Sequence, residues 1–345
     1  MIALLIAGTV AFLVTLIGTP FLISWLKAHG VGQPIREDGP SGHTIKAGTP
    51  TMGGIAIVVA TMLGYLAAHL RDGTIFTRGG ILVALAIAGA GIVGGVDDWI
   101  KVRNARNLGL NKRAKIGGLL LVAIGFGALA VEWANVSTKL SFTRHDSLGI
   151  ELAPWVFVVW AVLLFLGTSN GANLTDGLDG LASGASIFSW AAYTVIAFWA
   201  FRHPEVYQVP QALDLALVCA AMVGALSGFL WWNAPPARIF MGDTGSLAIG
   251  AGLAAMALVT STHLLLPIIA GLFVIETLSV ITQVFSFRLF RRRLYRMAPI
   301  HHHFELGGWP ETTVIVRFWI LAGLSTAVAI GIYYADYLSI PGAID

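Results

Sequence analysis

The run Gly79-Gly-Ile-Leu-Val-Ala-Leu-Ala-Ile-Ala-Gly-Ala-Gly-Ile-Val-Gly-Gly-Val96 carries no charge, and it stops on Asp97-Asp98-Trp99-Ile100-Lys101. An uncharged apolar stretch of about 18 residues is long enough to cross a bilayer as a helix. A helix satisfies its own backbone in hydrocarbon, where open strands and loops do not. Within the run, Gly89-Ala-Gly-Ile-Val-Gly94 matches GxGxxG, but no strand precedes it and no βαβ unit surrounds it. Gly91 and Gly95 stand four apart, a spacing that favours close helix packing.

Outward from this run the pattern repeats. Ten apolar stretches, at about 2–26, 51–70, 79–96, 116–134, 154–172, 183–201, 213–232, 246–262, 265–287 and 313–335, are separated by short polar or Gly/Pro-containing breaks. The expectation is an all-α polytopic membrane protein of about ten transmembrane helices, with residues 1–345 forming one integral-membrane domain. The first stretch lacks a basic leader and a small-residue cleavage site, so it reads as a retained span. Composition agrees. The 345 residues are 57% hydrophobic and only 11% charged, against roughly 25% charged in soluble domains. The single cysteine, Cys219, excludes an intrachain disulfide framework.

The breaks alternate in charge. One set holds Lys27, Arg36, Lys46, Lys101, Arg103, Arg106, Lys112, Arg113, Lys115, Arg238, Arg288, Arg291, Arg292, Arg293 and Arg296. The other holds Arg71, Arg78, Lys139, Arg144 and Arg202. The positive-inside rule makes the first set cytoplasmic and both termini periplasmic. The basic residues therefore mark a membrane face, and no nucleic-acid partner is expected.

Carboxylates concentrate on that same face. Asp97 and Asp98 close a span, with Lys101 three and four residues on, where helix neighbours meet. Paired acids at a membrane boundary suit a divalent metal, or proton transfer near phosphate. A plain charged helix end fits the lone pattern equally well. Asn173-Leu-Thr-Asp176-Gly177-Leu178-Asp179-Gly180-Leu-Ala182 sets two Asp-Gly pairs in a turn with no local cation. Turn geometry alone explains Asp-Gly; the unpaired charge asks for a cation or a ligand. In Phe240-Met-Gly-Asp243-Thr-Gly-Ser246 the acid opens a span, either as a cap or beside amides suited to phosphate. The last basic loop runs into Ala298-Pro-Ile-His301-His302-His303-Phe-Glu305, where imidazoles suit metal or phosphate. Glu276 lies inside an apolar span and must face the bundle interior or water. No GxxxxGK[ST] loop or Gly-x-Ser-x-Gly elbow is present.

Together, Asp97-Asp98-x-x-Lys101, Asn173 through Ala182, Phe240 through Ser246, Ala298 through Glu305 and Lys46-Ala-Gly-Thr-Pro-Thr-Met-Gly-Gly54 resemble the motif set of the phospho-N-acetylmuramoyl-pentapeptide-transferases. These form a branch of the polyprenyl-phosphate N-acetylhexosamine-1-phosphate transferase superfamily. The likeness runs in order from about residue 30 to 320. The two Asp motifs are shared across the superfamily, whereas the His run and Gly-Thr-Pro-Thr-Met-Gly-Gly are more specific to this branch.

The resemblance implies ten helices in the bacterial cytoplasmic membrane with the active site on the cytoplasmic face. It implies Mg2+-dependent transfer from UDP-N-acetylmuramoyl-pentapeptide to undecaprenyl phosphate, releasing UMP, in peptidoglycan synthesis. Asp243, Asp97 and Asp98 would be catalytic metal ligands, with Asp97 favoured to deprotonate the lipid phosphate. His301 would contact phosphate or assist catalysis, supported by His302 and His303. Lys46, Gly177, Leu178, Asp179, Asn233 and Phe240 would form the uridine pocket, Asn173 and Asp176 the adjoining cleft, and Lys101 and Lys115 would be phosphate-binding cations. A homodimer is compatible with this picture. One departure is local: the family often has Gln four residues after the lysine matching Lys115, and this chain has Leu119 there. Competing readings are a related transferase using UDP-N-acetylglucosamine, and a secondary transporter. Transporters place their sites near the midplane, commonly within inverted repeats, and no repeat is evident here.

Overall fold

The computed structural model describes residues 1–32, 48–71, 73–104, 109–210 and 212–341. The chain runs α1 (Ile2–Ala28), α2 (Gly54–His69), α3 (Arg78–Arg103), α4 (Lys112–Glu132), β1 (Lys139–Leu140), β2 (Ile150–Glu151), α5 (Pro154–Thr175), α6 (Leu181–Arg202), α7 (Pro204–Tyr207), α8 (Ala212–Asn233), α9 (Gly242–Val259), α10 (Leu266–Ile269), α11 (Gly271–Phe290), α12 (Ile300–Glu305) and α13 (Glu311–Leu338). Among the described residues, nine helices are long and apolar enough to cross a membrane: α1, α3, α4, α5, α6, α8, α9, α11 and α13. The second expected span is the exception. At 16 residues α2 is about 24 Å long, short of a hydrocarbon core of about 30 Å. It still runs from one end of the bundle to the other, with Gly54 N on Met241 O beside the start of α9 and His69 on Asp214 at the far end.

The centre of the bundle is α9, Gly-Asp-Thr-Gly-Ser-Leu-Ala-Ile-Gly-Ala-Gly-Leu-Ala-Ala-Met-Ala-Leu-Val, buried along almost its whole length. Its small residues let neighbours approach to backbone contact, the usual means of helix association where lipid offers no hydrophobic contrast. Gly94 of α3 shows the limit: a Cβ there would collide with the Asp243 backbone carbonyl. The glycines of the GxGxxG-like run thus serve packing. Because Asp97 and Asp98 near the end of α3 meet the start of α9, the two helices run antiparallel.

Breaks in the helical ladder are repaired by side chains from other helices. Pro20 lies inside α1 and has no N–H to donate to the carbonyl of Leu16. The Trp232 indole on α8 donates to that carbonyl instead, at 2.9 Å. The expected span 265–287 divides at Ala270 into α10 and α11. There the Ile269 carbonyl accepts from Ser189 (3.0 Å) and Thr326 (3.4 Å), and the Ile268 carbonyl from Ser325 (2.5 Å). Such substitution lets a helix break at membrane depth.

The all-α expectation holds apart from one two-residue antiparallel hairpin, β1 with β2, pairing Lys139 with Glu151 and Leu140 with Ile150. It marks one end of the bundle. Ser141 N donates to His263 Nε2 just beyond α9 (2.7 Å), and Thr143 and Arg144 both reach Asp336 on α13 (2.9 Å each). The start of α9 is at the opposite, acidic end.

Candidate active site

Asp97 and Asp98, adjacent on α3, and Asp243, in the first turn of α9, are all buried and offer carboxylate oxygens within 4.8 Å of one another. Among the described residues this is the group of acids and imidazoles spaced to hold a metal. Two lysines enter it. Lys101 Nζ lies 2.6 Å from Asp97 Oδ2, 2.7 Å from Asp243 Oδ2 and 3.4 Å from Asp98 Oδ1. Lys115, from the first turn of α4, donates to Asp243 Oδ2 at 2.5 Å and lies 4.0 Å from Asp97. The lone DDxxK pattern is therefore more than a charged helix end, since its lysine turns inward onto an acid 142 positions away. The Lys101 ammonium, in contact with all three carboxylates, is ringed by hard oxygen donors of the kind that a divalent cation also takes.

The two adjacent acids differ. Asp98 accepts from the backbone N–H of Asp243 (3.1 Å), from that of Thr244 (2.9 Å) and from the Thr244 hydroxyl (2.8 Å). It caps α9 from another helix. Those amides, suited to phosphate when read from the sequence, are therefore already engaged, and Asp243 itself caps nothing. Asp97 caps no helix: its Oδ1 accepts from Leu110 N (2.8 Å), its Oδ2 lies 2.6 Å from Lys101 Nζ, and its carboxyl adjoins that of Asp243.

The 173–182 segment continues the site. Asn173, at the end of α5, donates to Asp243 Oδ1 (2.5 Å) and Ser246 Oγ (2.9 Å). Asp176 follows in the turn, close to Asp243, Asp98 and Asp179. Burial first, and then those three negative neighbours, push its carboxyl up to about 8. Asp179 accepts from Ala237 N (2.9 Å), Asn233 Oδ1 accepts from Gly180 N (3.1 Å) and Ser183 (2.8 Å), and Asn233 Nδ2 donates to the Ile239 carbonyl (3.0 Å). These bonds tie the turn to the loop leading to Phe240, with Leu178 buried beneath. That loop in turn pairs with the Pro50–Gly54 segment: Phe240 N donates to Pro50 O (2.8 Å) and Gly53 N to Phe240 O (2.9 Å). Gly177, Leu178, Asp179, Asn233 and Phe240, far apart in sequence, thus form one wall. Lys46 lies outside the described residues.

The histidine run divides on the short helix α12. His301 is buried, its Nδ1 3.0 Å from Glu276 of α11, and its Nε2 abuts Gly177, where a Cβ would collide with it. His302 pairs with Glu305 at 2.6 Å, and His303 Nδ1 accepts from Arg296 N at 3.1 Å. These contacts lie within α12 and the loop before it. Sequence reading quoted Thr244 and Ser246 only within their motif, with Thr244 as a candidate cap, and passed over Gln283. Gln283 Oε1 accepts from Leu294 N and Tyr295 N (2.9 Å each), clamping the arginine loop onto α11. A Gln seven residues after a buried Glu on one apolar helix was the available signal.

Comparison with known proteins agrees with this geometry. The model of Glycosyl transferase family 4 matches residues 80–261, and phospho-N-acetylmuramoyl-pentapeptide-transferase signature 1 matches residues 46–58. The chain is 52% identical to the phospho-N-acetylmuramoyl-pentapeptide-transferase of Frankia alni, over 97% of this chain and 98% of the relative. It is 48% identical to that of Streptomyces griseus, with the same coverage, and 48% identical to that of Thermobifida fusca, over 98% and 99%. With identity at this level along nearly the full length of both partners, the chain belongs to the phospho-N-acetylmuramoyl-pentapeptide-transferase family.

Proposed function

We propose that this protein, a multi-pass protein of the bacterial inner membrane, transfers phospho-N-acetylmuramoyl-pentapeptide from its uridine diphosphate carrier to undecaprenyl phosphate. The acidic end of the bundle faces the cytoplasm, both termini face the periplasm, and residues 1–345 act as one domain. The observation that carries the reading is the meeting of Asp97, Asp98 and Asp243 with Lys101 and Lys115 from three separate helices. Carboxylates for a metal and cations for phosphates are what a diphosphate exchange requires.

Asp97, Asp98 and Asp243 are the residues to hold Mg2+, whose preference for carboxylate and phosphate oxygens they fit. Bound there, the ion would act as a Lewis acid on the diphosphate. Lys101 and Lys115 balance negative charge on the phosphates and on departing UMP. Gly177, Leu178, Asp179, Asn233 and Phe240 seat the uridine, together with Lys46, while Asn173 and Asp176 line the cleft beside them. Asp97, whose carboxylate caps no helix, takes any proton from the lipid phosphate, while Asp98 stays fixed as the cap of α9. An oxygen of the lipid phosphate then attacks the sugar-bearing phosphorus, and the bridging P–O bond breaks to release UMP. That oxygen is already nucleophilic, so no protein nucleophile is needed.

The test is UMP release by the purified protein, with and without Mg2+ and undecaprenyl phosphate. Release is expected only when both are present. Equal release without the lipid, or faster turnover of UDP-N-acetylglucosamine, would overturn the reading.

A further inference from the structure

Glu276 is fully buried in α11, and its Oε1 lies 3.0 Å from Nδ1 of an equally buried His301. With the Glu276 oxygen as acceptor, Nδ1 is the ring nitrogen that donates in this pair. The other ring nitrogen, Nε2, is buried with no hydrogen-bond partner among the described residues. It is pressed against Gly177, the first residue of the wall assigned above to uridine, and only a glycine leaves it room. Buried polar atoms are nearly always paired, and an unpaired one in a native site needs a reason.

We propose that Glu276 is the positioning residue of His301: it fixes the ring so that Nε2, rather than Nδ1, faces the substrate cleft. This rests on the reading of His301 as a substrate-facing residue. Holding Nδ1–H sets the tautomer, and the buried carboxylate offsets positive charge on the ring whenever Nε2 carries a proton toward a phosphate oxygen. It also gives a use for a carboxylate placed where lipid makes charge costly. A structural filler at the same position would need only shape.

Glu276→Gln keeps the shape but lets an amide N–H meet Nδ1 and admit the wrong tautomer. The expected result for the purified variant is a kcat lower by about a hundredfold, with KM for the uridine donor and the Mg2+ requirement unchanged. Glu276→Asp, which keeps the carboxylate, should recover part of that loss. In a His301→Ala background, Glu276→Gln should add less than about threefold, because residues acting as one unit are not additive. A Glu276→Gln kcat within about threefold of the parent, or its full loss repeated on top of His301→Ala, would overturn the proposal. Full activity of His301→Ala alone would instead overturn the reading of His301, and the two failures are distinct.

Discussion

Asp214 and Asp243 are both buried aspartates in the first turn of a long apolar helix, one at each end of the bundle. Asp214 accepts from Tyr65 OH (2.9 Å) and Thr77 N (2.8 Å) and pairs with His69 Nε2 (2.9 Å). Each partner is fixed by its own helix or cap, and His69 is further held by stacking on Phe76, with ring centroids 3.7 Å apart. Asp243 instead shares its surroundings with two other carboxylates and with two ammonium groups on long side chains. The pair shows that burial and position do not make a site; the partners do. Fixed donors close a carboxylate, whereas on the proposed function like charges balanced by lysines leave the carboxylates for a metal and the ammonium groups for phosphates.

The comparison breaks most sharply at Asp243. Asp243→Asn should lower turnover by about a thousandfold and raise the Mg2+ concentration needed for the residual rate. Measuring both over a Mg2+ titration checks the ligand assignment. Wild-type rate and metal dependence would place Asp243 with Asp214, among structural acids.

Within the open region, Phe240→Ala separates the wall from the charge cluster. Phe240 is half-buried on the loop paired with Pro50–Gly54. Loss of base stacking should weaken uridine nucleotides by roughly ten- to a hundredfold, with less change for lipid phosphate. Competition binding with UMP and the lipid substrate reads the difference, and equal losses would remove the stacking role.

The sequence made these two regions unequally legible. Hydropathy and loop charge depend on local composition, so the apolar spans and the basic face were readable. The acids of the site were visible because charge beside an apolar run is costly. What joins them was not visible. Asp98 reaches Thr244 across 146 positions, and no local pattern encodes a cap supplied by another helix. Nor does His301-His302-His303 say which imidazole turns inward; Glu276 on α11 and Gly177 in the turn after α5 decide that from elsewhere in the chain. The short α2 and the break at Ala270 escaped because hydropathy averages over a window. A helix end replaced by serine and threonine hydrogen bonds leaves that average unchanged.

The closed region should respond in stability rather than rate. Asp214→Asn removes the carboxylate that His69 meets and weakens the bonds from Tyr65 and Thr77. The expected cost is about 2 kcal/mol, seen as a lower unfolding midpoint in detergent, with kcat within about twofold of the parent. A kcat loss on the scale of Asp243→Asn would erase the distinction between the two ends.

The smallest effect belongs to His263, beside the hairpin at the same closed end. Burial lowers its imidazole from the usual 6.5 to about 4, and the neutral Nε2 accepts from Ser141 N at 2.7 Å. Above pH 6.5 the folded and unfolded forms both carry it neutral, so it adds no pH dependence. Between pH 6.5 and about 4 the unfolded chain takes up a proton that the folded chain refuses, and stability falls as pH drops through that window. His263→Gln keeps an acceptor for Ser141 and removes the titration. Its unfolding midpoint should be lower than that of the parent at pH 7.5 and should fall less between pH 7.5 and 5. Parallel pH profiles for parent and variant would show that the hairpin end is held without His263. The fixed-donor rule drawn from Asp214 would then cover that carboxylate alone and not the closed region as a whole.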